Sequence, residues 1–350
     1  MQYVSNAVAL AAAEITEGRR VTMQPAMPRR HSVIPAIPAA LAAALGLFAC
    51  AKPTPSAAPE TQVRIATGLP GMTFKPLGEA LVTAYAEVMP DVKFSVVETE
   101  GSVSNLARLE GGTAELGLAL ADVAYMAYNG HIPELAQGTG RIRGVAVLHP
   151  SLVHAVVPKG SNVRTLSDLR ERRIGVGAAS SGTAVTSSIL LRAFGVPTNA
   201  VMQRTIPFTE ATGALLHGDI DASFIVAAAP VTVVRDAMAA GARLLDVRGP
   251  ALEQLRIEYP FLRPATIPAG TYPGQTEPVQ TVRVDVVLLC RGDLDDVLVH
   301  RLTDALFRVL PRLTARASYL RSMDVRRAPT PPIPLHPGAA WYYREQELSR

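Results

Sequence analysis

The stretch Ala178–Ser188, AASSGTAVTSS, crowds serine and threonine hydroxyls around Gly182, between the strand-like run Arg173–Gly177 and the helix-like run Ile189–Gly195. Three chemistries suit such a loop: a nucleophilic serine, a cradle for an anionic group, or plain helix capping. A nucleophile needs a base within hydrogen-bond reach and a further group to orient that base. The G-x-S-x-G elbow is absent, and the order of serine, acid and histidine follows no hydrolase pattern. His217 and His300 are the candidate bases, but no spacing brings either to Ser181. His217 stands at a helix end before Gly218, the usual place of a solvated or capping histidine. An anion cradle asks for less, because every helix start presents amides without partners and a partial positive charge. No catalytic residue is expected, and a hydrolase using Ser181 is the alternative from another functional class.

The elements that would position this loop recur along the chain. Strand-like Val63–Thr67, a Gly/Pro loop, helix Phe74–Met89, strand Val92–Glu98, helix Ser102–Gly112, strand Glu115–Leu120 and a helix carrying Asp122 form a first series. The same order returns from Arg173, through strand Val201–Ile206, helix Thr209–Gly218, strand Asp221–Ala227 and helix Pro230–Gly241. Ile65 and Gly68 match Ile174 and Gly177 at an offset of 109, and Leu106 matches Leu215 at the same offset. Two related α/β lobes explain the shared offset better than chance. The long strand-like runs Val145–Pro158 and Val282–Arg291 are the natural crossings between lobes. A helical segment and a Pro-rich, aromatic clasp from Pro329 end the chain. The expected organisation is lobe 1 over 62–148 plus 280–350 and lobe 2 over 149–279.

In open α/β sheets ligands sit beyond the carboxyl ends of the strands. The repeat pairs loop Gly68–Thr73 with Ala178–Thr183, and loop Thr99–Asn105 with Phe208–Gly213, so four helix starts face one cleft. The expected ligand-binding residues are Thr73, Phe74, Glu100, Gly101, Ser102, Asn105, Asp122, Tyr125, Ser180, Ser181, Gly182, Thr183, Thr209 and Glu210. Glycines permit close backbone approach, and the hydroxyls are short donors, each also able to cap its own helix. Of Glu98 and Glu100, near a strand end, one is left to meet an amine and the other to be solvated. Asp122 suits a helix cap as well as a ligand contact, and Tyr125 either stacks on ligand or packs.

The net charge is +4, but four arginines lie in the first fifty residues, and the rest carries 30 basic against 28 acidic side chains. No basic stripe interleaved with aromatics follows, so no nucleic-acid partner is expected. The seven histidines are scattered and no His or Cys pair has ligand spacing, so neither metal nor cofactor is expected. Met27–Cys50 has a basic start and an apolar run too short and too Pro-interrupted for a comfortable membrane span, ending in Leu47-Phe48-Ala49-Cys50. That end resembles a bacterial lipobox. It implies a signal peptide over 1–50, lipid attached to Cys50, a flexible tether over 51–61, and a periplasmic, membrane-anchored protein. The start of translation then falls at Met23 or Met27. Cys290, with no partner left, reads as a small buried hydrophobe.

The blocks GLPGMTFKPLGEAL, EGSVSNLARLEGGTAELGLALADVAYMAYNG, GAASSGTAVTSSILL, YPFLRPATIPAGTYPGQ and PIPLHPGAAWYYRE, in this order from Val63 to Glu345, resemble the TAXI family. These are extracytoplasmic solute-binding proteins of a branch of the TRAP transporters. The resemblance implies a two-lobed periplasmic-binding-protein fold of type II with two hinge-crossing strands. It also implies partnership with TRAP membrane subunits and a small organic acid or amino acid, such as glutamate or glutamine, as ligand. A receptor for an ABC transporter or a sensor shares that fold. Where the family commonly has Thr-Gly-Gly-Ser and Gln-Ser-Asp, this chain has Thr99-Glu100-Gly101-Ser102 and Leu120-Ala121-Asp122. If that wall faces the ligand, these changes point to a less polar or amine-bearing solute.

Overall fold

Periodicity of two and of 3.6 in the apolar residues resolves into alternating strands and helices in the computed structural model, which describes residues 61–135 and 140–348. The expected signal peptide, Cys50 and all of the tether before Thr61 lie outside the described residues. Thr61 itself, counted above with the tether, is the first residue of a strand. The first series is β1 (Thr61–Ala66), α1 (Phe74–Val88), β2 (Val92–Val97), α2 (Ser102–Glu110), β3 (Leu116–Leu120) and α3 (Ala121–Tyr128). After the long β4 (Ile142–Val157) it returns as β5 (Arg173–Gly175), α4 (Gly182–Ala193), β6 (Met202–Arg204), α5 (Phe208–His217), β7 (Ala222–Ala227) and α6 (Thr232–Ala239). Then follow β8 (Arg243–Leu244), α7 (Pro250–Glu258), β9 (Arg263–Ile267), β10 (Val279–Arg291), α8 (Asp296–Arg316) and α9 (Pro337–Leu348).

The strands make one sheet in the order β2-β1-β3-β10-β4-β7-β5-β6, with β8 on β4 and β9 on β10. Read inward from either end, the plan is the same. Parallel β2-β1-β3 meets antiparallel β10, and parallel β6-β5-β7 meets antiparallel β4. β3 and β7 are buried along their whole length, as strands covered on both faces must be, and both are continuous apolar runs. α1 lays Leu77, Leu81 and Tyr85 on the sheet at helical spacing.

One ion pair is built twice. Arg64 on β1 gives Glu115 its backbone N–H (2.8 Å) and a two-pronged guanidinium (3.0 and 2.8 Å). Arg173 on β5, 109 residues later, gives Asp221 the same three bonds at 2.8, 3.1 and 2.9 Å. The amides of Glu115 and Asp221 in turn donate to the carbonyls of Arg64 and Arg173. Each pair fixes the register between the first strand of a series and the third.

The Pro-rich end is more regular than its sequence suggests. Pro337 opens α9, a position where its missing N–H and fixed φ cost nothing. Tyr342 stacks on Phe307 of α8 at 5.3 Å, and Tyr343 donates to the carbonyl of Val145 on β4 (3.0 Å). α7 and β9 were not anticipated.

Burial alone would push the Glu115 carboxyl up, but the Arg64 hydrogen bonds and charge outweigh it and hold the pKa below the ordinary value. A lowered pKa contributes stability above the unfolded-state value, and that contribution fades as pH falls through the lowered one. Glu115→Gln keeps the shape and removes the charge. It is expected to cost about 2 kcal/mol in urea unfolding at pH 7, since it leaves a half-buried guanidinium short of its partner, with the deficit shrinking toward pH 3.

Candidate functional site

The loops that carry glycine and hydroxyl residues meet across the two series and enclose a cavity of about 40 Å³. On a scale where one water needs roughly 10–15 Å³, this is room for a few waters. The start of α1 and the Glu100–Ser102 turn form one wall, and Ser181, Gly182, Thr183 and Phe208 the other. Much of the lining is apolar: Leu69, Met72, Phe74, Leu120, Phe208 and Val226. Among the lining residues Glu100 is the one that carries charge.

The walls touch directly. The carbonyl of Ser180 accepts from the amides of Val103 (3.1 Å) and Ser104 (3.3 Å), so the anion-attracting end of α2 is capped from the other series. In return the Ser180 amide donates to the Glu100 carboxylate at 3.0 Å. Gly101, at φ 129°, turns the chain into α2 in a conformation that side chains rarely adopt. Gly182 is squeezed from outside: a Cβ there would lie 2.5 Å from Ser102 Oγ and 2.7 Å from Leu120 Cδ1, both on the opposite wall. Deeper in, Thr186 of α4 donates to the Asp122 carboxylate of α3 at 2.5 Å. These contacts define a closed cleft.

Of the expected ligand residues, Thr73, Phe74, Glu100, Gly101, Ser102, Ser181, Gly182 and Thr183 line the cavity. Their hydroxyls are used differently from expectation. Ser102 Oγ accepts the amide of Leu120, and Thr183 Oγ1 accepts that of Val226, so each ties its helix to a strand end. Ser181 caps α4, accepting from the Ala184 amide at 3.2 Å while its own hydroxyl faces the Val176 carbonyl. Neither histidine nor carboxylate is among its partners, and His300 instead pairs with Glu345. Thr73 makes no side-chain cap bond.

The remaining expected residues are not on the lining. Asn105 is fully committed, donating to the carbonyls of Thr67 (2.6 Å) and Leu118 (2.7 Å) and accepting from Thr99 (2.6 Å). Asp122 is not the helix cap: Leu120 holds that position, and the carboxylate accepts from the amide of Val123 and from Thr186. Tyr125 packs on Phe261 at 5.1 Å. Ser180 acts through its backbone, the Thr209 methyl lies against Gly71, and Glu210 is exposed on α5. Leu120, one of the departures from the family pattern, does reach the wall, whereas Ala121 is not on it. Leu69, Met72, Phe208 and Val226 were missed, since an apolar residue in a loop carries no chemical signal of its role.

A family model described as NMT1-like matches residues 65–346. The chain belongs to the NMT1-like family. Among solved structures, MatC from Rhodopseudomonas palustris with bound malate is similar at 15% identity, over 83% of this chain and 98% of that one, with a TM-score of 0.54. PhnD1 from Prochlorococcus marinus in complex with methylphosphonate matches at 10% identity over 83% and 98%, with a TM-score of 0.51. At such identities the likeness is one of fold, and the fold is the two-lobed α/β type of periplasmic binding proteins.

Two outcomes follow from the closed geometry. Gly182→Ala leaves its own series unstrained but collides with Ser102 and Leu120. It is expected to hold the cleft open, read as a larger radius of gyration in small-angle scattering with unchanged far-UV circular dichroism. Asp122 is pushed up to about 6 by burial, against the opposing bonds from Thr186 and the Val123 amide. Opening admits water and restores the ordinary value, so the closed form binds the extra proton. Closure is therefore favoured at low pH and loses that advantage as pH rises through about 6. The radius should grow between pH 5 and 7.5, and Asp122→Asn should flatten the change.

Proposed function

We propose that this protein is an exported solute receptor that closes its two lobes on a small, largely apolar zwitterion, such as an apolar amino acid, and delivers it to a membrane transporter. The lobes are taken as 62–148 plus 280–350 and 149–279, hinged on β4 and β10. The observation that carries the ligand class is the lining: one carboxylate, no basic side chain, six apolar residues and the starts of four helices. A ligand carboxylate would meet the first amides of α4, where the helix dipole favours negative charge. Its ammonium group would meet Glu100, and its apolar body would lie against Phe74, Leu120 and Phe208. The malate named with MatC and the methylphosphonate named with PhnD1 support a small anionic head group as the common element.

A cavity of about 40 Å³ cannot hold such a solute beside the existing contacts. The binding cycle therefore starts with opening. Ligand enters, its ammonium displacing the Ser180 amide from Glu100, and shifts the population back toward a closed form. Family membership supports a binding role, and the capped Ser181 gives no support to a hydrolase. The sequence blocks quoted above favour a TRAP-type membrane partner, with Cys50 as lipid anchor in the periplasm.

Calorimetry and thermal unfolding against apolar amino acids, glutamate, malate and methylphosphonate test this reading. An apolar amino acid is expected to bind saturably and, at a hundredfold excess over Kd, to stabilise by about 2.7 kcal/mol. Glu100→Ala should weaken it at least tenfold while leaving simple monocarboxylates unaffected. Tighter binding of malate than of any amine-bearing solute would overturn the ligand class. Turnover of a bound compound, abolished by Ser181→Ala, would overturn the receptor itself. Capture of an ATPase-linked permease from native membranes, in place of an ion-driven one, would assign the ABC partner.

A further inference from the structure

A second charged cavity lies at the hinge, sharing no lining residue with the cleft. It measures about 150 Å³ and is lined by Arg263, Arg283, Arg327, Asp285, Asp324 and Ser322, together with residues of β4. Antiparallel pairing places Arg263 on β9 directly opposite Arg283 on β10. Like charges in that relation repel, and the strand pair bears the cost unless negative charge lies between them. Asp285, two residues along β10 and thus on the same face, supplies one buried carboxylate. It is already engaged: Arg327, from the segment joining α8 to α9, donates to Asp285 Oδ2 at 2.7 Å, and Arg263 stands 3.5 Å from the same oxygen. Asp324 is held by the amide and guanidinium of Arg326. Arg283 has no hydrogen-bond or ion-pair partner among the described residues. Burial and the neighbouring Arg327 and Arg283 pull the Arg263 guanidinium below its ordinary pKa.

Three guanidiniums thus line one open space with a single buried carboxylate, which engages Arg263 and Arg327 and leaves Arg283 unmatched. We propose that this cavity is an anion site, taking a free tetrahedral oxyanion of the phosphate or sulfate class. Guanidinium forks match such oxygens in pairs, and three forks converging from separate segments suit four oxygens better than the two of a carboxylate. The bound anion would relieve the Arg263–Arg283 repulsion. It would also tie the β9–β10 arm to the Arg327 segment at the point where β10 changes partner from β9, at Val279–Arg283, to β3, at Val286–Cys290. The proposal is independent of the cleft and its ligand.

Titration calorimetry of the whole protein with sodium phosphate, and separately sodium sulfate, in chloride of matched ionic strength provides the test. Saturable one-site binding is expected. Arg283→Gln should weaken it at least tenfold without moving the thermal unfolding of the anion-free protein, because Arg283 has no partner to lose. Arg283→Lys, which keeps charge but not the fork, should fall between. Met72→Trp, on the cleft wall, should leave phosphate affinity unchanged. The proposal is overturned if chloride masks all binding by the wild type, if Arg283→Gln binds phosphate as the wild type does, or if Met72→Trp abolishes it.

Discussion

Everything in this molecule hangs on the antiparallel pairing of β4 and β10. They are the longest of the described strands, at sixteen and thirteen residues, and each carries one series, β10 through β3 and β4 through β7. β10 pairs with β9 through its first residues and with β3 through its last, while β4 runs along β10 and then carries β7. Because side chains alternate along a strand, a one-residue slip in this pair would turn both halves inside out. The register shifts twice, between Asp285 and Val287, where β10 exchanges β9 for β3, and again between Leu288 and Leu289. A paired ribbon interrupted there can bend without losing the pairings on either side, which is the freedom the proposed hinge on β4 and β10 requires.

Closure uses backbone groups that a ligand would also want. The amides of Val103 and Ser104 sit on the Ser180 carbonyl, and Glu100 holds the Ser180 amide. Each such bond is worth about 1 kcal/mol net, because water replaces it on opening. The closed form is therefore held by small terms that a bound solute can exchange one for one. Asp122–Thr186 differs from them, since it buries a carboxylate with no basic partner. It holds the lobes together when protonated and opposes closure when ionised.

The fold was legible where periodicity was strong. The duplicated series appeared from Ile65 with Ile174 and Leu106 with Leu215, and β4 and β10 stood out as long apolar runs. α7 was hidden because PALEQLRIE has few apolar residues to set a phase, and β9 because Pro264 reads as a strand breaker. α9 was masked by the prolines before it. The matching Arg64 and Arg173 passed unnoticed at the same offset, since an arginine beside a strand looks like ordinary surface until its carboxylate is placed. At the cavity, the hydroxyls and glycines picked out loops of which eight expected residues form lining. Ser102, Ser181 and Thr183 satisfy backbone amides, and the wall that shapes the cavity is largely apolar.

What the two halves share and where they differ explains the cleft better than either alone. The Arg–carboxylate clamp and the strand order are repeated, so equivalent loops arrive at equivalent places. Their side chains are not repeated. The Gly68–Phe74 loop brings Leu69, Met72 and Phe74, whereas Ala178–Thr183 brings Ser181, Gly182 and Thr183. Glu100 adds negative charge on the first half only. A scaffold that repeats its plan thus encloses a space with an apolar flank, a flank that mixes Ser181 and Thr183 with Phe208 and Val226, and a single anionic corner. The proposed solute, with an apolar body and two different charged ends, would meet these walls in one orientation once the cleft has opened. A symmetric dicarboxylate would set one of its ends against the apolar flank or against Glu100. The asymmetry of the lining, laid on a symmetric frame, is the ground on which the proposed choice among small solutes rests.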